Sequence, residues 1–498
     1  MSYPVSSRVV RQCIDRIRES GMSGGRRRAR IKKVLKAWGR GIKRLGITQV
    51  SWHRAPSAPT GLPTGSGLSD GAEPGASSGY GAQGSLENRR FAGVPFKRLY
   101  TEDALGARRT WASGQTRADL SALSAEKAPP ADIFKGNIES HIGFVQVPIG
   151  VAGPILVDGE HAQGAFYVPM ATTEGALVAS CTRGMRAVTE SGGARVRVVS
   201  DQMMRAPMFT FESLTDAVRF VEWVRKRDLQ LKSIANGQSR VGRLLDINPV
   251  ILGDTVCLQL SFFTGDAYGA NMVMKCSWAL CHWALLEFPR ESGVNFLDWY
   301  VDSQLGAEKK VNAMTYTTSM RGKRVVAEVH LKRDAMKSIL KVTPEDLFEA
   351  LVAGLAPTMA AGMLGCNVNF ANVVAAIFTA TGQDIATVPE SCQGQISFRL
   401  TDDGMYFGAL LPNLVVATIG GGTQLPSQKA CLDMLGCAGS GKAKKLAEIV
   451  GAATMCLDIS TYAAIAADHF VQAHEKLGRN RPRTGPIILP PGLMPPTR

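Results

Sequence analysis

Apolar positions change their spacing several times along this chain, and each change marks an element. Ile31, Val34, Leu35, Trp38, Ile42 and Leu45 recur at helical intervals with Arg and Lys between them, which predicts a basic amphipathic helix within residues 1–54. From Arg54 to about Leu86 the pattern dissolves into Gly, Ser, Pro and Ala. Such a stretch buries too little apolar surface to offset the entropy of ordering it, so it reads as a linker. Ile142 to Val157 predicts extended segments broken by Gly and Pro, and Thr173 to Val188 a helix of small residues. A helix is expected over Thr215–Lys226, strands over Gly242–Ile247 and Val256–Phe263, and another helix from near Gly269. That alternation predicts a compact α+β unit inserted in a larger body. After Thr343 the spacing reads as mostly helical, with glycine breaks at Gly365 and Gly420–Gly422. Ile449–Ala467 is strongly apolar, but Asp458 and many small residues make it a packed core helix rather than a membrane span.

Composition narrows this picture. At 498 residues, 45% of them hydrophobic, the chain can fill more than one domain. Formal net charge is +15, but Arg26 to Arg44 alone holds ten Lys and Arg and no acid. The remainder is only mildly basic, and a general nucleic-acid-binding surface does not follow. The basic segment suits an anionic membrane surface, an acidic partner such as a carrier protein, RNA, or simple docking with a solvated face. No secretory signal is visible, so a cytoplasmic location is expected, with mitochondrial targeting the alternative. Ten cysteines without a CxxC pair or Cys/His spacing predict buried thiols in a reducing compartment and no metal site.

Glycine turns come next. Gly436 to Lys442 has the spacing of a phosphate-binding P-loop. Ala443 stands where that loop needs a hydroxyl for magnesium, and Gln428 to Leu435 reads as helix rather than strand, so a nucleotide triphosphatase is excluded. No GxGxxG follows a strand, which leaves an ordinary Rossmann fold unsupported. Gly265–Met272 and Gly420–Thr423 remain as turns able to bring backbone N–H groups to a phosphate.

The run Val168-Pro169-Met170-Ala171-Thr172-Thr173-Glu174-Gly175 resembles the catalytic-glutamate signature of the hydroxymethylglutaryl-CoA reductase family. Asn137–Pro154, Asp266–Met272, Gly382-Gln383-Asp384 and Gly420–Gln428 resemble further motifs of that family in the same order, over about residues 131–482. The similarity is closer to its eukaryotic-type class. The resemblance implies an α/β (α+β) fold: a large, mostly helical domain with a long central helix, interrupted by a small ferredoxin-like NADP-binding domain. By position, the large domain would span 131–206 and 301–482, the insert 207–300, and a tail 483–498, preceded by the basic segment 1–54 and a linker and N-terminal region 55–130. It also implies a homodimer or dimer of dimers with the active site at the subunit interface.

The implied reaction reduces a coenzyme A thioester to an alcohol with two NADPH, through a hemithioacetal and an aldehyde. Each reduction puts negative charge on oxygen, which a cation must hold. Lys309 matches the family's catalytic lysine, Glu174 its proton donor, and Asp384 the charged neighbour coupling the two. His474 matches the acid that protonates the leaving thiolate, while His469 is expected to pack in the core. Ser239 and Arg240 match the pair that holds the 2′-phosphate of NADPH. Arg479, Asp266, Gly269, Asn271, Gly420 and Gly421 fall at further cofactor positions. Ser180, Arg183 and Arg186 match coenzyme A contacts, and Arg205, Lys310 and Asn372 substrate contacts.

Departures cluster at the acyl pocket. A family lysine falls near Val352–Gly354, a family histidine is Asn369, and the usual Asp before the lysine pair is Glu308. Reduction of 3-hydroxy-3-methylglutaryl-CoA to mevalonate leads; a reductase of another acyl-CoA or carrier-protein thioester is the near alternative. A non-catalytic homologue binding a membrane or nucleic acid through the basic segment is the distant one. Together, Glu174, Lys309, Asp384 and His474 argue against the last.

Overall fold

The structure is a computed structural model and describes residues 93–96, 99, 101–123, 129–318 and 320–469. The basic segment 1–54, the Gly-rich linker, His474, Arg479 and the tail lie outside those residues. Helix α1 (Glu102–Thr116) starts where the Thr101 side chain accepts the Ala104 N–H. Strands β1 (Ile149–Gly159) and β2 (Gln163–Ala171) form an antiparallel hairpin, followed by α2 (Leu177–Glu190) and β3 (Ala194–Arg205). There follow β4 (Met208–Thr210), α3 (Leu214–Lys226), α4 (Asp228–Asn236), β5 (Arg243–Leu252), β6 (Thr255–Phe263), α5 (Ala270–Ser292) and β7 (Asp298–Tyr300). Then come β8 (Arg321–Lys332), α6 (Pro344–Ala360), α7 (Phe370–Thr381), β9 (Gln395–Thr401), β10 (Gly404–Leu414), α8 (Pro426–Met434) and α9 (Ala443–Ala466).

Two differences from the sequence reading have clear causes. Helix α2 begins at Leu177 rather than Thr173, because Ala176 before it is left-handed at φ 71° and breaks the ladder. Glu174 therefore sits in a turn and not on the helix. The stretch read as mostly helical after Thr343 contains the β9–β10 hairpin. Strand β10 is buried almost throughout, and a short run buried on both faces has no period of two to distinguish it from buried helix.

Helix α9 is the long central helix. It is the one described helix long and apolar enough to cross a membrane, and 83% of that apolar window is buried inside the protein. It packs so closely on α2 that a Cβ at Gly184 would come within 1.8 Å of the Cys456 carbonyl oxygen. Its buried Glu448 caps the β1–β2 turn, accepting the N–H groups of Glu160, His161 and Ala162 at 3.1, 2.8 and 2.6 Å.

Aliphatic side chains of β1, β2, β8, β10, α7 and α9 make one core, and a set including Phe209, Phe211, Phe220, Phe262 and Phe288, joined by Met203 and Val415, makes a second. A single sheet, in the order β7-β4-β6-β3-β8-β10-β9, runs through both. Strand β3 is the shared member: Arg195–Met203 pairs with β8, and Met203–Arg205 pairs with β6. Arg205 thus ends the strand that joins the two cores.

Candidate active site

Lys309 lies in the loop between β7 and β8, where Gln304, Ala307 and Lys309 all take left-handed backbone angles, at φ 66°, 52° and 60°. Such angles cost about 1–3 kcal/mol each and persist only where surroundings over-determine them. The restraint here is ionic. Glu308 accepts the Arg205 guanidinium at 2.7 Å on one oxygen and the Tyr268 hydroxyl at 2.8 Å on the other. Arg205 also holds Asp302 at 2.7 Å, and Arg321 reaches Glu308 at 3.5 Å and Glu390 at 2.9 Å. Both arginines are almost fully buried. Burial pushes the Glu308 carboxyl up, but Arg321, Tyr268 and Arg205 outweigh it and hold the group below the usual range. Glu390 is deeper, and burial pushes it up to about 7 despite Arg321.

Above this network the Lys309 ammonium meets Asp384 at 3.1 Å. Asp384 follows α7 two residues after Gly382, whose left-handed φ of 70° ends the helix. A Cβ at Gly382 would stand 2.4 Å from the Gly422 carbonyl oxygen, so only glycine lets this turn meet the Gly420–Gly422 turn. Gln383 fixes the same junction, exchanging hydrogen bonds with the backbone of Ala417 at 2.7 and 3.0 Å.

Glu174 belongs to the other end of α7. Its exposed carboxylate accepts the Asn372 amide at 2.8 Å, and Asn372 sits in the helix's first turn. Asn369, the N-cap, makes no capping bond. Instead Asp458 of α9 accepts the N–H groups of Val368 and Asn369, each at 3.0 Å, and the Asn369 amide donates to Thr461 at 2.8 Å. Burial pushes Asp458 up to about 7 against the pull of those two N–H groups. Nine helical rises separate Asn372 from Thr381, about 14 Å. Among the described residues neither Lys309 nor Asp384 bonds Glu174, so the coupling expected between them is not made within one chain.

The expected cofactor positions divide. The Ser239 hydroxyl accepts the N–H groups of Val241 and Gly242 at 3.2 and 2.8 Å, forming a turn that leaves Arg240 exposed. Gly420 and Gly421 are left-handed, and a Cβ on either would meet nothing within 4 Å. Gly269 caps α5 at φ 79°, with Asn271 exposed beyond it. Asp266 is engaged: its carboxylate accepts the N–H groups of Gly441 and Ala443 at 2.7 and 3.0 Å and the Ser440 hydroxyl at 3.3 Å. The P-loop-like run thus receives a carboxylate of its own chain at the start of α9. Burial pushes Asp266 up, but these bonds, with Lys323 nearby, hold it below its ordinary value.

Ser180 and Arg183 both reach Ser460 of α9, at 3.0 and 2.9 Å, whereas Arg186 pairs with Glu190 on its own helix at 2.8 Å. Lys310 is exposed, as is Val352 on α6. His469 is exposed rather than packed in the core, because α9 has ended and Asp468, at φ 53°, turns the chain outward. Arg321 and Glu390 escaped the sequence reading. Neither carried a local signal: Arg321 stands in a polar run beside Lys323 and Arg324, and Glu390 marks a buried pair only once its partner is known.

The family described as Hydroxymethylglutaryl-coenzyme A reductase matches residues 104–479. The chain is 41% identical over 405 residues to the 3-hydroxy-3-methylglutaryl-coenzyme A reductase of Aeropyrum pernix, covering 80% of this chain and 94% of that protein. It is 41% identical over 348 residues to the enzyme of that name from Methanocaldococcus jannaschii, covering 70% and 85%. The fold is similar to that of the class II 3-hydroxy-3-methylglutaryl-CoA reductase from Streptococcus pneumoniae, solved bound to NADPH in open conformations. That likeness has a TM-score of 0.58 at 19% identity and covers 72% of this chain and 86% of the other. By the extent of these matches, the chain belongs to the hydroxymethylglutaryl-coenzyme A reductase family.

Proposed function

We propose that this protein reduces 3-hydroxy-3-methylglutaryl-CoA to mevalonate with NADPH, at a site shared between two subunits. The observation that carries the reading is the placement of Lys309–Asp384 and Glu174–Asn372 at opposite ends of α7. One chain offers two half-sites, and a second copy would bring the missing half to each. The open glycines at 420–421 and the exposed Arg240 fit a phosphate-bearing cofactor, and residues 207–300 would be its domain. NADPH, when bound, supplies the hydride for each of the two reductions.

The chain's own residues do the rest. Lys309 holds the negative charge that develops on the substrate oxygen, and Asp384 keeps that ammonium in place. Asn372 occupies one oxygen of Glu174, leaving the other to carry a proton to the alkoxide formed from the aldehyde. His474 protonates the departing thiolate, Lys310 and Arg205 flank the acyl group, and Ser180, Arg183, Arg186 and Arg479 serve the phosphates. A cytoplasmic site of action belongs to the same reading, supported by the burial of α9.

One observation favours a second acyl group. No charged residue occurs from Ala350 to Gln383, and Val352, Leu355, Met359, Met363 and Leu364 are exposed apolar surface there. A substrate without a free distal carboxylate would suit that wall. The test is NADPH oxidation against a panel of acyl-CoA thioesters. Two NADPH consumed per 3-hydroxy-3-methylglutaryl-CoA supports the leading reading; turnover of only uncharged acyl groups overturns it.

A further inference from the structure

Tyr268 lies in the turn between β6 and α5, and that turn is tied down on both sides. Asp266 is bonded to the start of α9, and its carbonyl oxygen accepts the Thr418 N–H at 2.9 Å. The Thr264 hydroxyl donates to the Ala267 carbonyl at 3.0 Å. From this fixed turn the Tyr268 hydroxyl accepts the Arg321 guanidinium at 3.0 Å and donates to Glu308 at 2.8 Å. The Arg321 guanidinium also lies 5.9 Å from the centre of the tyrosine ring. Glu308 adjoins Lys309, so holding its carboxylate fixes the peptide that sets the left-handed Lys309 backbone and the direction of the ammonium toward Asp384.

We infer that Tyr268 is a positioning residue for Lys309, linking the Gly269–Asn271 turn to the charge-stabilising lysine through Glu308. The inference rests on the role given to Lys309 above. It assigns a catalytic consequence to a side chain that touches neither thioester nor Lys309. Burial raises the Tyr268 phenol above its ordinary value, so its proton stays in the bond to Glu308 across the working pH range. The turn that would meet the cofactor and the lysine that meets the substrate then share one rigid frame.

The test is a double-mutant cycle on the full-length protein, with Tyr268→Phe made alone and in a Lys309→Ala background. A hydrogen bond to a charged group is worth about 1.5–3 kcal/mol, so kcat should fall about 10- to 100-fold on Tyr268→Phe, with both KM values little changed. In the Lys309→Ala background the same change should have almost no further effect, because the group being positioned is gone. Equal losses in both backgrounds would mean a general structural role and overturn the inference. A raised NADPH KM at unchanged kcat would make Tyr268 a cofactor contact, and unchanged kinetics would leave it no role; either outcome also overturns it. If Tyr268→Phe lowers the thermal midpoint by many degrees, Glu308→Asp, which draws the carboxylate away from Tyr268, enters the same cycle with the same outcomes. Loss of all wild-type turnover on every thioester would count against the proposed function instead, so the two failures remain distinguishable.

Discussion

The two ends of α7 are built from opposite materials. At its C-terminal end Lys309 and Asp384 rest on Arg205, Asp302, Glu308, Arg321 and Glu390, a dense set of charges around two buried arginines. At its N-terminal end Glu174 is held by one neutral amide, and the helix start is held by Asn369, Thr461 and two backbone N–H groups on Asp458. A fixed field for a developing oxyanion needs the first kind of construction. The second holds Glu174 through a single oxygen, which leaves its other oxygen open to the reacting group. One helix keeps the two environments apart within a subunit, so neither compromises the other.

Substitutions at the two ends should therefore fail differently. Glu174→Gln keeps the Asn372 contact in shape but cannot deliver a proton; turnover should fall about 10²–10⁴-fold with thioester KM nearly unchanged. Lys309→Ala should cost about 10²–10³-fold in kcat, the range for losing one oxyanion-stabilising donor. Steady-state kinetics on the same thioester would rank them, and retained turnover in either would break the division of roles.

Stability should separate the ends as well. Arg321→Met strands Glu390 in the interior and should cost about 3–5 kcal/mol in denaturant unfolding. Asn369→Ala at the neutral end removes one bond to Thr461 and should cost about 1–2 kcal/mol. Similar losses would mean that the charged end is not the more tightly built one.

Asp458 gives a pH effect of defined sign. Its carboxyl is raised to about 7, so the folded protein binds a proton that the unfolded chain has already released between roughly pH 4 and 7. Its contribution to stability is complete below the unfolded pKa and is lost as pH rises through 7. One such proton changes the slope of stability against pH by at most about 1.4 kcal/mol per unit. Asp458→Asn should flatten the fall over that window; an unchanged slope would contradict the burial argument.

The sequence disclosed these ends unequally. Glu174 and Asp384 stood in runs whose order carried the family resemblance, and Lys309 was matched only by its position among them. Asp458 was visible only as an interruption in an apolar stretch, and Arg321 not at all. The role of Arg321 depends on Tyr268, Glu390 and the Met204 carbonyl, 53, 69 and 117 residues away, and that of Asp458 on the Val368–Asn369 backbone 89 to 90 residues away. No local spacing records such contacts. Strand β10 was hidden for a related reason, since near-complete burial erases the alternation that would have disclosed it. The left-handed Ala176, which takes Glu174 off its helix, had no signal at all, because alanine usually favours the helix it interrupts here.

The central claim is that a complete site needs both ends of α7 from different subunits. Glu174→Gln and Lys309→Ala proteins, each inactive alone, can be co-refolded or co-expressed at equal amounts and assayed together. If sites form across subunits, each mixed dimer holds one intact site, and random assortment should restore about one quarter of wild-type NADPH oxidation. No recovery in mixtures shown by mass to contain the mixed dimer would contradict the account.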